Sequence, residues 1–197
     1  MPARLLIPRE KYLASGIHIG MKQKTKNMKE FIYKIRPDGL AVLNLRKLDE
    51  KIRIAGKFLA RMEKVLVVGR KSVAQGAVKK FAESIGAKVI VGRFMPGMLT
   101  NPNYRNFFEA DVIFIVDPLV DYQALKEAVK ARVPIVAICD TFNETKDIDF
   151  IIPANNKGKL ALATLFWILT REVLKERGKI KTDKEFEFTI EDFDKEE

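Results

Sequence analysis

Lys22, Lys24, Lys26 and Lys29 put four ammonium groups into eight residues, separated by Gln23, Thr25, Asn27 and Met28. Tyr33, Lys34 and Arg36 follow, and Glu30 is the only acid between Lys22 and Arg36. Cations spaced by polar and aromatic residues suit a phosphate backbone, since they supply charge without a fixed base code. The plainer alternative is a solvated tether. Few apolar residues could fold this arm alone, so the composition predicts ordering by a partner, with RNA favoured.

Other residues could carry chemistry of their own. On a helical wheel, Arg46, Arg53, Lys57, Arg61 and Lys64 cluster opposite the stripe Leu48, Ile52, Ala55, Leu59 and Met62, with Glu50 the one acid among them. That face predicts RNA contact or plain solvation. Gly69, Arg70, Lys71 and Ser72 lie where a strand turns into a helix, a place that can take an anion. Neither G-x-x-x-x-G-K-[ST] nor G-x-G-x-x-G occurs there, so Arg70 and Lys71 are expected to meet RNA phosphate rather than a nucleotide. Asp117 and Asp140 each follow an apolar run, at the sheet edge where α/β enzymes place their chemistry. Together they could hold Mg²⁺ in a nucleotide- or Mg²⁺-dependent enzyme, which is the alternative reading. No base, nucleophile or phosphate loop accompanies them, so turn and cap roles are expected. Cys139 reads as an inert buried thiol, and His18, with no partner His or Cys, as structural or RNA-contacting. Trp167, with Leu160, Leu174 and Arg171 on its side of the last helix, is a candidate protein contact unless a neighbouring loop or the C-terminal segment covers it.

These residues belong to a chain of 197, 47% apolar and 31% charged. That length supports one full core without covalent staples. A lone cysteine excludes an intrachain disulfide and, with a lone histidine, zinc ribbons and iron–sulfur cages; a reducing, intracellular setting is expected. The longest apolar run, Leu160 to Leu169, is broken by Thr164 and is far short of the ~18 residues a membrane span needs. Met1, Pro2, Ala3 and Arg4 open without an apolar signal core. No membrane, cofactor, metal or small-molecule substrate is expected.

The charge is uneven. Residues 1–105 carry 23 Lys and Arg against 7 Asp and Glu, a net of +16, whereas residues 106–197 carry 13 against 19, a net of −6. A basic half projects the field that nucleic acid answers. Charge richness with only three Gln also fits a heat-adapted surface. The segment from Lys181 to Glu197 holds eight acids and three lysines and reads as a solvated tail or a strap for a basic neighbour.

The elements that must position these groups follow from periodicity. Near-continuous apolar runs at 40–43, 65–68, 88–91, 112–116 and 135–139 predict strands buried on both faces. Helical stripes lie between them: Leu48 to Met62, Ala74 to Ile85, Leu125 to Val129 with Asp121 as cap, and a last helix from Asn155 or Asn156 to Arg177, stopped by Gly178. The order predicts a three-layer α/β/α, flavodoxin-like (Rossmann-like) doubly wound parallel sheet of about five strands. One crossover helix is replaced by a Gly-, Pro- and Asn-rich loop, Gly92 to Phe108. The expected organisation is a basic arm (1–39) with one short helix at Pro8 to Ser15, a single α/β domain (40–178) and an acidic tail (179–197).

Four strings, in order, resemble a known family. They are Gly16-Ile17-His18-Ile19-Gly20 with Asn27-Met28-Lys29-Glu30-Phe31-Ile32-Tyr33; Arg93-Phe94-Met95-Pro96-Gly97-Met98-Leu99-Thr100-Asn101; Asp117-Pro118 with Asp121, Glu127-Ala128 and Val133-Pro134; and Cys139-Asp140-Thr141 with Ile148 to Lys157. Together they resemble the universal small-subunit ribosomal protein S2 family. The resemblance implies a flavodoxin-like, non-catalytic protein near the head–body junction of the small subunit. Its implied partners are ribosomal RNA and neighbouring ribosomal proteins, and its setting is the cytoplasm. Bacterial members carry a long α-hairpin after the Leu-Thr-Asn string, absent here, and eukaryotic members run far beyond the last helix; the archaeal type is expected. On this reading Lys22, Lys24, Lys26 and Lys29 track phosphates, helped by Lys34, Arg36, Arg46, Arg53, Arg70 and Lys71, while Arg93, Asn101 and Arg105 fix orientation. Trp167 and Arg171 remain the candidate protein contact.

Overall fold

The runs at 65–69, 112–115 and 135–139 are buried along their whole length, as strands covered on both faces must be. The structure, a computed structural model, describes residues 5–195, the Lys184 side chain aside. The ends of the expected arm and tail, residues 1–4 and 196–197, lie outside the described residues. In chain order the elements are α1 (Arg9–Ser15), β1 (Ile32–Ile35), β2 (Ala41–Leu43), α2 (Leu45–Ala60), β3 (Val65–Gly69), α3 (Ser72–Ile85), β4 (Lys88–Val91), β5 (Val112–Ile115), α4 (Tyr122–Ala131), β6 (Ile135–Cys139), β7 (Phe150–Pro153), α5 (Lys159–Glu176) and α6 (Ile190–Asp194), with a 3₁₀ turn at Asn27–Phe31 before β1.

Five parallel strands form the main sheet in the order β4-β3-β5-β6-β7. The first strand of this sheet, β3, is internal, so the winding reverses between β3 and β5. Alternate residues serve opposite faces. Val67, Phe114 and Ile138 join Phe81 and Phe166 under α2, α3 and α5; Val68, Ile115 and Cys139 join Leu125 and Ala128 of α4 on the other side. Phe81, Phe114 and Phe166 form a triangle with ring centroids 5.2, 5.6 and 5.9 Å apart. No crossover helix joins β4 to β5; Phe94, Met98 and Leu99 of the loop fill that space.

The three-layer doubly wound fold is as expected, but the fifth strand is a different one. The run at 40–43 is not in the main sheet. It contributes β2, which pairs antiparallel with β1 in a separate ribbon. The hairpin Arg36 to Gly39 explains this: Gly39 adopts φ 86°, and Arg36 N–H donates to Leu40 O at 2.9 Å, folding the run back on residues 32–35. The sheet edge is β7 instead. Pro153 is tolerated there because an edge strand has one side without ladder partners.

Both terminal segments pack on the domain. Tyr12 and Ile17 are fully buried in the main core, with Tyr12 donating its hydroxyl to Asp49 at 2.8 Å. At the other end Phe186, Phe188 and Phe193 make a chain of edge-on rings that reaches Trp167. Arg177 ties α2 and α3 together by donating to the carbonyls of Ala60 and Ile85, helix-end acceptors that lack an intrahelical partner, and to that of Met62 just past α2. No helix among the described residues is long and apolar enough to cross a membrane.

Candidate nucleic-acid interface

The reversal between β3 and β5 opens a crevice at the C-terminal ends of the strands, where doubly wound proteins bind ligands. Here side chains of the protein itself close it. Lys71, leaving β3, places its ammonium 2.5 Å from Asp117, which leaves β5. The same ammonium donates to Asn156 O and Oδ1 at 2.9 and 3.1 Å. Asn156 donates to Asn143 Oδ1, and Asn143 donates to Asp117 Oδ1 at 2.9 Å. Asp117 and Asn156 are essentially inaccessible, so this is a closed polar plug with its charge matched.

The flanking carboxylates serve the backbone. Asp121 accepts N–H bonds from Arg70 and Asp117, and burial still pushes its pKa up to about 7. Asp140 accepts from the Thr141 amide at 2.6 Å, and burial raises its pKa as well. Asp117 and Asp140 thus hold separate structural jobs, and no group of three His, Cys, Asp or Glu side chains suited to a metal occurs among the described residues. Cys139 is buried, and that burial, with Asp117 and Asp140 nearby, drives its thiol pKa far upward, so it is no nucleophile. Burial lowers the pKa of His18, favouring neutral imidazole.

Over this plugged edge lies the lysine-rich segment. Met21 N–H donates to Thr141 Oγ1 at 2.9 Å, and Thr25 N–H to Thr141 O at 2.9 Å. Thr25 Oγ1 donates to Asn143 O and Asn27 Nδ2 to Thr145 Oγ1. Gly20 permits the approach: a Cβ there would stand 2.5 Å from Thr141 Cγ2. Met28 and Phe31 then bury themselves in the α4-side core. The segment expected to await a partner is therefore held by Thr141, Asn143 and its own two apolar anchors. It still presents Lys22, Lys24, Lys26 and Lys29 outward, all exposed and without an ion pair among the described residues.

A second presenting element is the loop 93–101. Glu127, buried on α4, accepts N–H bonds from Gly97 at 2.8 Å and Leu99 at 3.3 Å, and is braced by Gln123 Nε2 at 2.8 Å. One carboxylate fixes the loop so that Arg93, Asn101 and Arg105 are exposed. Lys34, Arg46 and Arg70 are exposed too, and Arg36 is exposed while paired with Asp38 at 3.5 Å.

Other residues fall elsewhere than their sequence positions suggested. Lys71 is occupied by Asp117, as above, and Arg53 is paired with buried Asp49 at 2.9 Å. Trp167 and Arg171 meet parts of their own chain: Trp167 Nε1 donates to Phe188 O at 2.7 Å, and Arg171 donates to Leu6 O at 2.9 Å. Of the two coverings considered for Trp167, the C-terminal segment is the one present. Sequence reasoning missed the network roles of Asn143, Asn156 and Glu127. The signal for Asn143 and Asn156 was position: they lie four and three residues past the ends of β6 and β7, where backbone turns need polar partners.

Comparison with known proteins finds relatives along nearly the whole chain. A family model described as ribosomal protein S2 matches residues 12–107 and 103–175. The chain is 50% identical over 196 residues to small ribosomal subunit protein uS2 of Picrophilus torridus, covering 98% of both chains. It is equally close, over the same spans, to the protein of that name from Thermoplasma acidophilum. The Staphylothermus marinus protein of that name is 51% identical over 181 residues, covering 91% of this chain and 82% of its own length.

Proposed function

We propose a function on the premise that this chain belongs to the ribosomal protein S2 family: it is a non-catalytic structural constituent of the small ribosomal subunit, of the archaeal type, working in the cytoplasm. It is held on ribosomal RNA beside neighbouring ribosomal proteins, near the head–body junction. The exposed cations Lys22, Lys24, Lys26, Lys29, Lys34, Arg36, Arg46, Arg70, Arg93 and Arg105 meet phosphates, and Asn101 adds hydrogen bonds. Arg53 and Lys71 are left out, since their charges are spent on Asp49 and Asp117. RNA of this kind is recognised through shape, backbone and 2′-OH groups.

One observation carries this reading. The fold's own ligand crevice is filled by the Lys71–Asp117–Asn156–Asn143 network, while exposed lysines, unpaired among the described residues, lie across its top. An enzyme using Asp117 and Asp140 would need those carboxylates facing an open cleft. A rigid scaffold displaying cations to a polyanion needs what is seen.

Sucrose-gradient fractionation of native lysate tests the proposal. Co-sedimentation with small subunits after a moderate salt wash is the expected result; protein confined to the top of the gradient contradicts it.

A further inference from the structure

The β1–β2 ribbon is left unused by that reading. β2 lies at its centre: Gly20 N–H donates to Ala41 O at 2.8 Å and Ala41 N–H to Met21 O at 3.2 Å on one side, while β1 pairs on the other. The lysine-rich segment therefore leaves one side of the ribbon, and β1 forms the other. Lys22 reaches the hairpin, since a Cβ on Gly39 would lie 3.8 Å from its Cγ and Cδ.

In β1 the register slips between Ile32 and Lys34, which makes Tyr33 the extra residue of a bulge. Bulges re-aim side chains and interrupt pairing. Tyr33 is 69% exposed, the highest value among the large apolar side chains that stand out to solvent, and its ring meets no other ring or cation among the described residues. Lys34 follows it on the strand and Arg36 lies just past the strand's end, both exposed, with Arg36 also paired to exposed Asp38.

We propose that Tyr33 is a stacking platform for an unpaired RNA base, with Lys22, Lys34 and Arg36 holding the adjoining phosphates. This rests on the RNA reading above and adds what the lysines alone lack, a contact that discriminates single-stranded from paired RNA. Exposed aromatic faces beside cations bind unstacked bases irrespective of sequence. A protein strand adding to β1 is the competing occupant. The bulge and the edge lysine Lys34 oppose it, because both disfavour edge-to-edge pairing.

The test measures binding of the full chain to in-vitro transcribed small-subunit ribosomal RNA across a salt series. Tyr33→Ala should weaken binding about tenfold or more at every salt concentration without changing the slope, because stacking releases no counterions. Tyr33→Trp should restore affinity, and the thermal melts of both variants should match the native chain. Unchanged RNA affinity in Tyr33→Ala overturns the stacking platform alone. Loss of a small-subunit protein contact with RNA affinity intact overturns it in favour of the protein strand. A native chain that fails to bind the transcript overturns both this proposal and the RNA reading beneath it.

Discussion

Lys71 and Asp117 meet at 2.5 Å across the point where the sheet reverses its winding. Their pairing converts a crevice that could host a ligand into part of the core. Asp117 is 1% exposed at its side chain and Lys71 16%, so the two ends of the bond are not equivalent. Removing the cation strands a buried carboxylate. Removing the carboxylate charge leaves an ammonium that keeps its Asn156 bonds and some water.

Lys71→Met should therefore destabilise the protein by about 3–5 kcal/mol, the range for breaking a buried pair. Asp117→Asn should cost less, because an amide oxygen can still accept from Asn143 and Leu119. Urea unfolding of the two variants checks the order. Equal or reversed costs would show that the pair does not close the edge as described.

Glu127→Ala should free the loop at 93–101 with little effect on the sheet. The variant loses a carboxylate that receives two backbone amides, the Thr100 hydroxyl and the Gln123 amide. Leaving those donors unmet costs about 1–3 kcal/mol locally. Amide hydrogen exchange at Gly97 and Leu99 should rise by an order of magnitude or more, while β3 and β5 stay protected. Uniform loss of protection would mean that the loop is integral to the core instead.

The contrast between these two sites shows what was readable in the sequence. β3, β5 and β6 were legible because strands buried on both faces are apolar throughout, and α2 and α3 because one stripe of each faces the core. β7 was not. Phe150 to Pro153 is short, ends in proline and pairs only with β6, so it looks like loop until the edge position is known. The run at 40–43 misled for the opposite reason: three buried or half-buried apolar residues look alike in a parallel sheet and in a ribbon. Lys71 and Arg53 looked like surface cations because their partners, Asp117 and Asp49, announce themselves only through three-dimensional proximity. The lysines from 22 to 29 needed no partner to be recognised, and they are exposed.

Asp121 should impose a pH dependence of defined sign. Its native pKa is pushed up to about 7, chiefly by burial, against about 3.9 in an unfolded chain. A raised native pKa means stability that is fully present below about pH 4 and lost as pH rises through about 7. Asp121→Asn has no such titration. Relative to the native chain, the variant should gain a few kcal/mol in urea unfolding between pH 5 and pH 8. A constant difference between the two across that window contradicts the buried carboxylate.

The account as a whole turns on four lysines gripping phosphates from a scaffold that does not depend on them for its own stability. The most direct measurement is the salt dependence of binding to small-subunit ribosomal RNA, native chain against the variant in which Lys22, Lys24, Lys26 and Lys29 are all Gln. All four side chains are exposed, so the variant should fold and melt as the native chain does. The slope of log affinity against log salt should flatten by about 3 units, since each lost phosphate contact removes about 0.7–0.9. Parallel lines for the two proteins would show those ammonium groups to be solvated in the complex and would contradict the account.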